Sequence, residues 1–478
     1  MNALLQTAIR RATPCVGVAV LSATLAACST VGPNYTAPTT PAPTLQTAGN
    51  SKVSSAPLPA QWWKLYNNPK LNAWINEALQ ANRQLQVAQA NLERAQALEQ
   101  GVQASTGVQT TLTGGATVGQ TSNLGLGHAA GAHTTFDGGL GVSYEVDAVG
   151  RIKRLLEASA ASTEAQAAAT DLVKITVVAN TVGAYSDACS FGARLNVAKR
   201  LIQLQENNLA LLQRGVQGGI YSDLDLTRSQ ALLAQLKSAV PVLESGQTAA
   251  LYQLAVLMGK QPEQYPSEAA QCNTPLDVKA ALPVGDGTAL IARRPDIRQA
   301  ERLLAASTAN IGVATADLYP RVTLGASVGS TARQFSQLSE NSAVRFSVGP
   351  LMSWQFPNTA VVRANIAASN AQAKGALAQF DATVLNALRE TDTALNSYAK
   401  DLDEHQQLQI ALDESRKATE QENRLFKGGL ASGLELLDVQ RSLATAENAL
   451  VVSEGKLSSD RIRLFLALGG GWEPTQHP

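Results

Sequence analysis

Gly115-Ala116-Thr117-Val118-Gly119 decides the fold, because the pattern returns 210 positions later as Gly325-Ala326-Ser327-Val328-Gly329. Further segments repeat with the same shift: Ser143-Tyr144 and Ser353-Trp354, Gly218-Gly219-Ile220 and Gly428-Gly429-Leu430, Leu224-Asp225-Leu226 and Leu434-Glu435-Leu436. One shift that holds across segments of different character indicates an internal duplication rather than chance similarity. The chain therefore contains two copies of one half, and both copies should fold alike.

Each half contains two stretches whose residues alternate as in β-strands. They cover 107–121 and 136–146 in the first half, and 320–331 and 344–356 in the second. Each stretch reaches the about 9–11 residues of a tilted membrane strand. Lipid does not tolerate an open sheet edge, and four strands cannot close a barrel, so membrane-spanning strands would require several chains to assemble. A soluble four-stranded sheet is the alternative.

Long helices are predicted for the rest of each half. Asn68 and Pro69 provide an N-cap and a first-turn proline for a helix through about Gln103. The next predicted helix, 148–213, contains no proline and at 1.5 Å per residue is about 100 Å long. A return helix follows at 223–258. The second half repeats these helices at 287–317, 358–424 and 434–467. Ala-rich helices of this length favour coiled-coil packing over a globular core.

The N-terminus has the features of a secretion signal followed by a lipid attachment site. Arg10 and Arg11 precede an apolar run at 16–26, and the run ends in Leu25-Ala26-Ala27-Cys28. This ending resembles a bacterial lipobox, which implies cleavage before Cys28 and a diacylglycerol and an N-acyl chain on that residue. An ordinary secretion signal with a core cysteine is the alternative. Ser29 in place of Asp implies sorting to the outer membrane.

The remaining cysteines and the histidines predict no metal site. Cys189 and Cys272 would lie in an oxidising compartment and could form one disulfide. We expect two separate thiols, because Cys189 lies within a long predicted helix and connectivity cannot be read from sequence. The histidines are scattered and none neighbours a cysteine: His128, His133, His405 and His477. We therefore expect no cofactor beyond the covalent lipid.

Composition limits the possible functions. The 478 residues carry 38 Lys and Arg against 38 Asp and Glu, and a net charge of zero argues against nucleic acid as a partner. After residue 27 no apolar run approaches the about 18 residues of a spanning helix. No phosphate-binding loop and no set of nucleophile, base and orienting residue can be assembled, so we expect no enzyme.

Short motifs are distributed over nearly the whole chain from Cys28 onward. They are Val31-Gly32-Pro33-Asn34-Tyr35, Trp62-Trp63-Lys64-Leu65-Tyr66, Asn68-Pro69-Lys70-Leu71, Tyr144-Glu145-Val146-Asp147-Ala148-Val149-Gly150-Arg151, Arg293-Arg294-Pro295-Asp296-Ile297-Arg298, Tyr319-Pro320, Val348-Gly349-Pro350 and Leu468-Gly469-Gly470-Gly471-Trp472. Together they resemble the TolC-like outer-membrane efflux proteins, specifically the lipidated multidrug-efflux outer-membrane factors. The resemblance implies an α+β membrane protein: a homotrimer with a 12-stranded β-barrel in the outer membrane, a 12-helix periplasmic α-barrel and a mixed equatorial belt.

With this resemblance the chain divides into ten parts. They are 1–27, signal peptide; 28–68, lipid anchor, extended linker and equatorial segment; 69–106, helix of repeat 1; 107–147, first barrel hairpin; 148–260, long helix, tip and return helix of repeat 1; 261–286, equatorial linker; 287–319, helix of repeat 2; 320–357, second barrel hairpin; 358–468, long helix, tip and return helix of repeat 2; and 469–478, C-terminal equatorial segment.

The resemblance also implies the function. We expect a passive exit duct in the outer membrane of a Gram-negative bacterium, which exports small molecules such as drugs. Its partners would be a periplasmic adaptor, an inner-membrane pump of the resistance-nodulation-division type and outer-membrane lipid. A duct for protein secretion and a pore-less coiled-coil lipoprotein are the alternatives.

The candidate site lies at the two helix tips, 214–226 and 424–438. Paired glycines supply the turns: Gly218, Gly219, Gly428 and Gly429. Acids follow within the next helical turn: Asp223, Asp225, Glu435 and Asp438. Such carboxylates stabilise a helix N-terminus. In the family, however, the positions of Glu435 and Asp438 ring the pore entrance, where negative charge selects cations.

Family resemblance further implies a closing latch between the tips, at the positions of Leu224, Asp225, Phe426 and Ala431. Here Phe426 has no hydroxyl group and Ala431 stands where the family has a basic partner. Asp225 therefore needs another partner, and the candidates are Arg214, Arg424 and Lys427.

Two other sets of motif residues predict structure rather than binding. Trp62, Trp63 and Trp472 are expected to be packing anchors of the equatorial belt. Arg294-Pro295-Asp296 places a proline and a carboxylate in the first turn of a helix.

Overall fold

The computed structural model describes residues 30–39, 53–54, 56–120, 131–278, 281–285, 293–357 and 359–470. Cys28 with the signal peptide 1–27, His128, His477 and Trp472 lie outside the described residues. The chain forms two compact units. The first contains the chain up to Thr39 with Leu92–Ala167 and Gln299–Asp381; the second contains Thr40–Asn91, Ala168–Arg298 and Ala382–Pro478. Over the described part of the chain, no helix combines the length and apolarity that crossing a membrane would require.

Among the described residues, seven helices of 13 or more residues and four long strands follow the order of the duplication. The helices are α1 Pro69–Ala81, α2 Arg83–Thr106, α3 Arg151–Gln217, α4 Asp223–Leu257, α5 Pro295–Ala316, α6 Ala360–Lys427 and α7 Gly433–Ala467. The strands are β1 Gln109–Gly119, β2 His133–Val146, β3 Arg321–Ala332 and β4 Val344–Ser353. A two-residue parallel pair, Val53–Ser54 with Leu282–Pro283, is also present.

The long strands form one antiparallel sheet of order β1-β2-β3-β4 in the first unit. Its register places Leu140 opposite both Leu112 and Val328, so apolar side chains share one face. That face also carries Val118, Phe136, Val142, Tyr144, Val146, Val322, Leu324, Val344, Phe346, Val348 and Met352. Thr, Ser and Gly dominate the other face. The apolar face is uncovered within this unit, and Leu112, for example, is 83% exposed.

The Val31-Gly32-Pro33-Asn34-Tyr35 motif packs on the helices of the first unit. The guanidinium group of Arg154 is buried and donates to the carbonyl of Val31 at 3.1 Å and to the side chain of Asn34 at 2.6 Å. Gly32 has φ +81°, and a side chain there would overlap the backbone of Gly312 on α5. These contacts fix the chain shortly after the proposed lipid site.

The main core of the second unit is mostly aliphatic and contains a cluster of aromatic residues. Trp62 is 1% exposed and stacks on Phe465 with ring centroids 4.7 Å apart, while Trp63 and Tyr66 are buried beside it. Trp74 meets Tyr185 edge to face at 5.0 Å. The prediction that Trp62 and Trp63 are packing anchors is confirmed.

The sequence predicted one continuous helix to about Gln103, but the structure has two helices, α1 and α2, in this region. Asn68 caps α1 as expected, accepting from the N–H groups of Lys70 and Leu71 at 3.1 Å. The helix then breaks at Asn82, whose backbone is extended. Its side chain accepts from the N–H of Leu85 at 3.1 Å and donates to the carbonyl of Leu257 at 2.9 Å. Two orphan groups at helix ends are satisfied at once, which compensates for the break.

The expectation of two separate thiols is wrong, because Cys189 and Cys272 form a disulfide with Cα atoms 4.7 Å apart. The reason lies one turn along α3, at Gly192. A side chain at this position would overlap the carbonyl oxygen of Cys272, so the glycine lets the segment after α4 lie directly on the helix. Donation from the side chain of Gln247 to the carbonyl of Ala270 at 3.2 Å holds the same segment.

Arg294 does more than precede the first turn of α5. Its guanidinium group is buried and binds Asp296 at 2.6 Å, Glu390 at 2.9 Å and the carbonyl of Ala467 at 2.9 Å. Burial lowers the pKa of Arg294, but the two carboxylates outweigh it and raise the pKa above its ordinary value. Within the second unit, the Arg-Pro-Asp motif therefore joins the start of α5 to α6 and α7.

Candidate functional site

Both helix tips turn at their second glycine. Gly219 has φ +72° and Gly429 has φ +71°, which favour glycine because a Cβ atom is strained there. The N–H of Ile220 donates to the carbonyl of Gly215 at 2.8 Å, and that of Leu430 donates to the carbonyl of Leu425 at 2.9 Å. These bonds satisfy the last carbonyls of α3 and α6. Both helices run three to four residues beyond the ends predicted from the sequence.

Asp225 and Glu435 occupy equivalent places in two capping boxes. The Asp225 carboxylate accepts from the hydroxyl of Ser222 at 2.7 Å, and its N–H donates back to that hydroxyl at 3.2 Å. The Glu435 carboxylate accepts from the N–H and the hydroxyl of Ser432 at 2.8 and 2.9 Å. The backbone bond and then the hydroxyl bond lower the pKa of Glu435, so it remains ionised at neutral pH.

The other charged residues of the tips make short-range contacts. Asp438 pairs with Arg441 on the next turn of α7 at 2.7 Å. The side chain of Arg214 donates to the carbonyl of Ala210 at 3.2 Å. Within the described part of a single chain, no ion pair joins Asp225 to Arg214, Arg424 or Lys427. The latch and the charge ring therefore stay predictions, and Leu224 and Asp223 carry no assigned role in the single chain.

An aromatic contact joins the two tips, and sequence reasoning missed it. Tyr221 stacks on Phe426 with ring centroids 5.3 Å apart and an interplanar angle of 12°. Gly215 makes room for the pair, because a side chain there would overlap the Tyr221 ring. Phe426 lacks the hydroxyl group that a hydrogen-bonded latch would need. Its ring instead packs the second tip against the first. The available signal was one aromatic residue in each tip.

A cavity of about 980 Å³ lies between the two hairpins, next to this contact. Leucines of three helices line it, including Leu204 and Leu211 on α3, Leu232 on α4 and Leu437 on α7. This space is partly open to solvent, so the hairpins leave a groove beside the tips rather than an enclosed void.

Glu447 forms a second connection between the hairpins. It is 7% exposed and binds Arg200 of α3 at 2.8 Å and Arg416 of α6 at 3.5 Å. The shift of 210 makes Arg416 the counterpart of Glu206, and Glu447 the counterpart of Lys237. Those two residues also form an ion pair, at 2.7 Å, with the charges exchanged. The signal was thus present in the sequence as a charge reversal between repeats.

Long helical hairpins with glycine tips, joined to a sheet with one bare apolar face, define the class of outer-membrane efflux channels. The chain belongs to the outer membrane efflux protein family, whose family model matches residues 74–260 and 288–470. The two matched ranges correspond to the two repeats.

Individual relatives agree over nearly the full length. The chain is 29% identical over 467 residues to the pyoverdine export outer membrane protein OpmQ of Pseudomonas putida, covering 95% of this chain and 96% of the relative. It is 26% identical to the probable outer membrane lipoprotein SilC of Salmonella typhimurium, covering 94% and 96%. Among solved structures, the outer-membrane channel OprN has a TM-score of 0.88 at 34% identity, covering 93% of this chain and 100% of that chain.

The chain is therefore an outer-membrane channel of an efflux system, and its long helices fit the periplasmic extension of such channels. Proteins of this family are conduits rather than enzymes. The relatives are outer-membrane components of efflux pumps, and this role implies an adaptor and an inner-membrane pump as partners.

Proposed function

We propose that three copies of this chain form one exit duct. The sheet is the observation that supports this most directly. β1 and β4 lie at its two edges, and one face is apolar while the other is polar. Three such sheets joined edge to edge give 12 strands, which close a barrel with the apolar face toward lipid. The helical hairpins of three chains then give a 12-helix tunnel, with the core of the second unit around Trp62 in the equatorial belt.

The duct takes its cargo from an adaptor and a pump of the resistance-nodulation-division type. Each tip exposes aliphatic side chains at equivalent positions, with Ile220 73% and Leu430 80% exposed. These suit contact with an adaptor, because exposed apolar residues at a helix tip stabilise a protein interface. The cargo consists of small molecules, and the relative OpmQ is named for the export of one compound, pyoverdine. Acylation of Cys28 anchors the chain, in keeping with the lipoprotein named in SilC.

Glu435 and Asp438 of three chains form a negative ring at the periplasmic entrance, to which Glu435 contributes a charge without an ion-pair partner among the described residues and Asp438 a charge paired with Arg441. The capping box fixes Glu435 in place and keeps it charged. Opening moves the tips 214–226 and 424–438 outward, and Asp225 takes Arg214, Arg424 or Lys427 of a neighbouring tip as its closing partner. A negative ring attracts cations and repels anions.

Reconstitution into planar bilayers tests the duct and the ring together. We expect the wild-type protein to form cation-selective channels and to migrate as a heat-sensitive trimer. Glu435→Gln/Asp438→Asn should reduce the potassium-to-chloride permeability ratio by about two- to tenfold, because three copies of each charge are lost. Glutamine at position 435 preserves the capping box, so the variant changes charge and keeps the turn.

Asp403→Asn is the matched control, since Asp403 is exposed on α6 and its ion pair among the described residues is with Lys400, one turn away. Absence of channels from the wild-type protein would support a pore-less lipoprotein instead. Channels whose selectivity is equal in the wild type and in Glu435→Gln/Asp438→Asn would contradict the ring.

A further inference from the structure

The charged side chains on the polar face of the sheet are paired. Register and alternation place Asp137, Glu145, Arg321 and Arg345 on this face. Glu145 binds Arg151 at 2.7 Å, and Arg321 binds Asp317 at 2.6 Å, both beside the helical end of the sheet. Asp137 and Arg345 pair with each other at 2.5 Å. The polar face is therefore charge-balanced at both of its ends.

The Asp137–Arg345 pair spans three strands through Thr331. The hydroxyl of Thr331 donates to Asp137 at 2.8 Å and accepts from the side chain of Arg345 at 2.9 Å. Gly329 lies directly opposite Arg345 in the register. A Cβ atom at Gly329 would lie 2.5 Å from the carbonyl oxygen of Gly138, so this position next to the ion pair has no room for a side chain. Both charged groups remain open to solvent, at 40% and 50% exposure.

The Asp137–Arg345 pair lies near the end of the sheet that is remote from the helices. β1 follows α2 and β2 precedes α3, so the helices attach at one end of the sheet. Asp137 and Arg345 lie near the opposite end, where β2 begins at His133 and β4 begins at Val344. With the helices in the periplasm, this end is the extracellular mouth of the duct.

We propose that Asp137 and Arg345 determine the charge selectivity of this mouth. The inference rests on the trimeric duct proposed above. Three compensated pairs line the lumen there, so cargo of either charge passes without an electrostatic barrier. Removing one partner converts the compensated pairs into a ring of three like charges, which selects ions as rings in other pores do. The entrance ring at the tips then acts on cargo separately from the exit.

Reversal potentials across planar bilayers in a potassium chloride gradient test the proposal. Arg345→Gln leaves three unpaired carboxylates and should raise the potassium-to-chloride permeability ratio about two- to fivefold. Asp137→Asn leaves three arginines and should lower the ratio by a similar factor. The double variant should return close to the wild-type ratio, because neither charge remains. In 1 M salt both single-variant shifts should shrink, since the Debye length falls to about 3 Å.

A purely structural role for the pair predicts a different pattern. In that case both single variants lower the heat stability of the trimer, and neither moves the permeability ratio. Shifts of the two single variants in the same direction would also overturn the proposal. Ser347→Ala is the control, since Ser347 lies on the same face and its change removes a hydrogen bond but no charge.

The proposal and the function on which it rests fail in different ways. A wild-type protein that forms no channel contradicts the duct and this inference together. Wild-type channels that respond to Glu435→Gln/Asp438→Asn, but not to Arg345→Gln or Asp137→Asn, overturn only the role of the exit pair.

Discussion

Asp460 on α7 is a buried carboxyl group whose ionised form is disfavoured by burial and by the neighbouring Asp401. It is 3% exposed, and its Oδ2 atom has no hydrogen-bond partner among the described residues. Burial, and then the neighbouring Asp401, raise its pKa to about 7. Burial opposes the charge of Asp401 as well, but hydrogen bonds from Asp460 and from Lys456 at 2.7 Å lower the pKa of Asp401. Asp460 is therefore the protonated member of the pair below neutral pH.

This arrangement predicts a pH dependence of stability. The folded-state pKa of Asp460 lies above its ordinary value of 3.8, so the stabilisation is complete below pH 3.8 and is lost as pH rises through about 7. Asp460→Asn keeps a donor toward Asp401 and cannot ionise. We expect it to raise the free energy of unfolding relative to wild type, and to do so by on the order of 1 kcal/mol more at pH 8 than at pH 5. Thermal unfolding in detergent at both pH values measures this, with Asp403→Asn as the exposed control. Equal effects of Asp460→Asn at pH 5 and pH 8 would rule the explanation out.

Single residues also mark where prediction from the sequence fails. Asn82 ends a helix because one side chain satisfies groups of two different helices, and only the fold brings those groups together. Cys189 joins Cys272 because Gly192 permits a close approach. Tyr221 meets Phe426 across two tips. Each contact is between positions that are distant in the sequence, so local patterns carry no information about the partner.

Among the helices, Glu447 of α7 connects the hairpin of the second repeat to α3 in the hairpin of the first repeat. Glu447→Gln removes the charge that Arg200 and Arg416 share, and we expect a loss of about 1–2 kcal/mol of stability. The equivalent pair in the first repeat provides the control. Glu206 is 40% exposed and within the described part of the chain pairs with one cation, Lys237, so Glu206→Gln should cost less than about 1 kcal/mol. Thermal unfolding of both variants compares the two costs directly.

Conductance distinguishes a brace between hairpins from a local ion pair. If Glu447 restrains the hairpins, Glu447→Gln channels should open more often at rest than wild-type or Glu206→Gln channels. Equal resting conductance of all three proteins would show that Glu447 stabilises the helices without restraining the tips.

The disulfide fixes an otherwise irregular segment to α3. It closes a loop of 83 residues, for which the chain-entropy model gives a stabilisation of about 4.5 kcal/mol. Cys189→Ser/Cys272→Ser should therefore unfold at a clearly lower temperature than the wild-type protein. Reducing agent should lower the melting temperature of the wild type toward that of the variant and leave the variant unchanged. A wild-type protein whose two thiols both react with an alkylating agent before reduction would contradict the disulfide.

For the whole molecule, the duplication made the prediction possible. One shift of 210 ordered the strands and helices, and the observed sheet contains the four expected strands within a few residues. Alternation identified the strands because one face is apolar and the other is polar. The functional contacts were harder to predict. Sequence identified the tip acids and glycines, whereas the capping boxes, the stacked rings and the buried Glu447 depend on packing between helices.

The exchanged charges of the two repeats have a consequence for symmetry. Arg200 reaches across to Glu447, but its counterpart 210 positions later is Ile410, which has no charge to offer. The two hairpins of a chain are therefore not interchangeable, although they descend from one ancestor. A ring built from three such chains has threefold rather than sixfold equivalence. Its hairpins can then divide the work of opening unequally, with one kind remaining in place while the other swings.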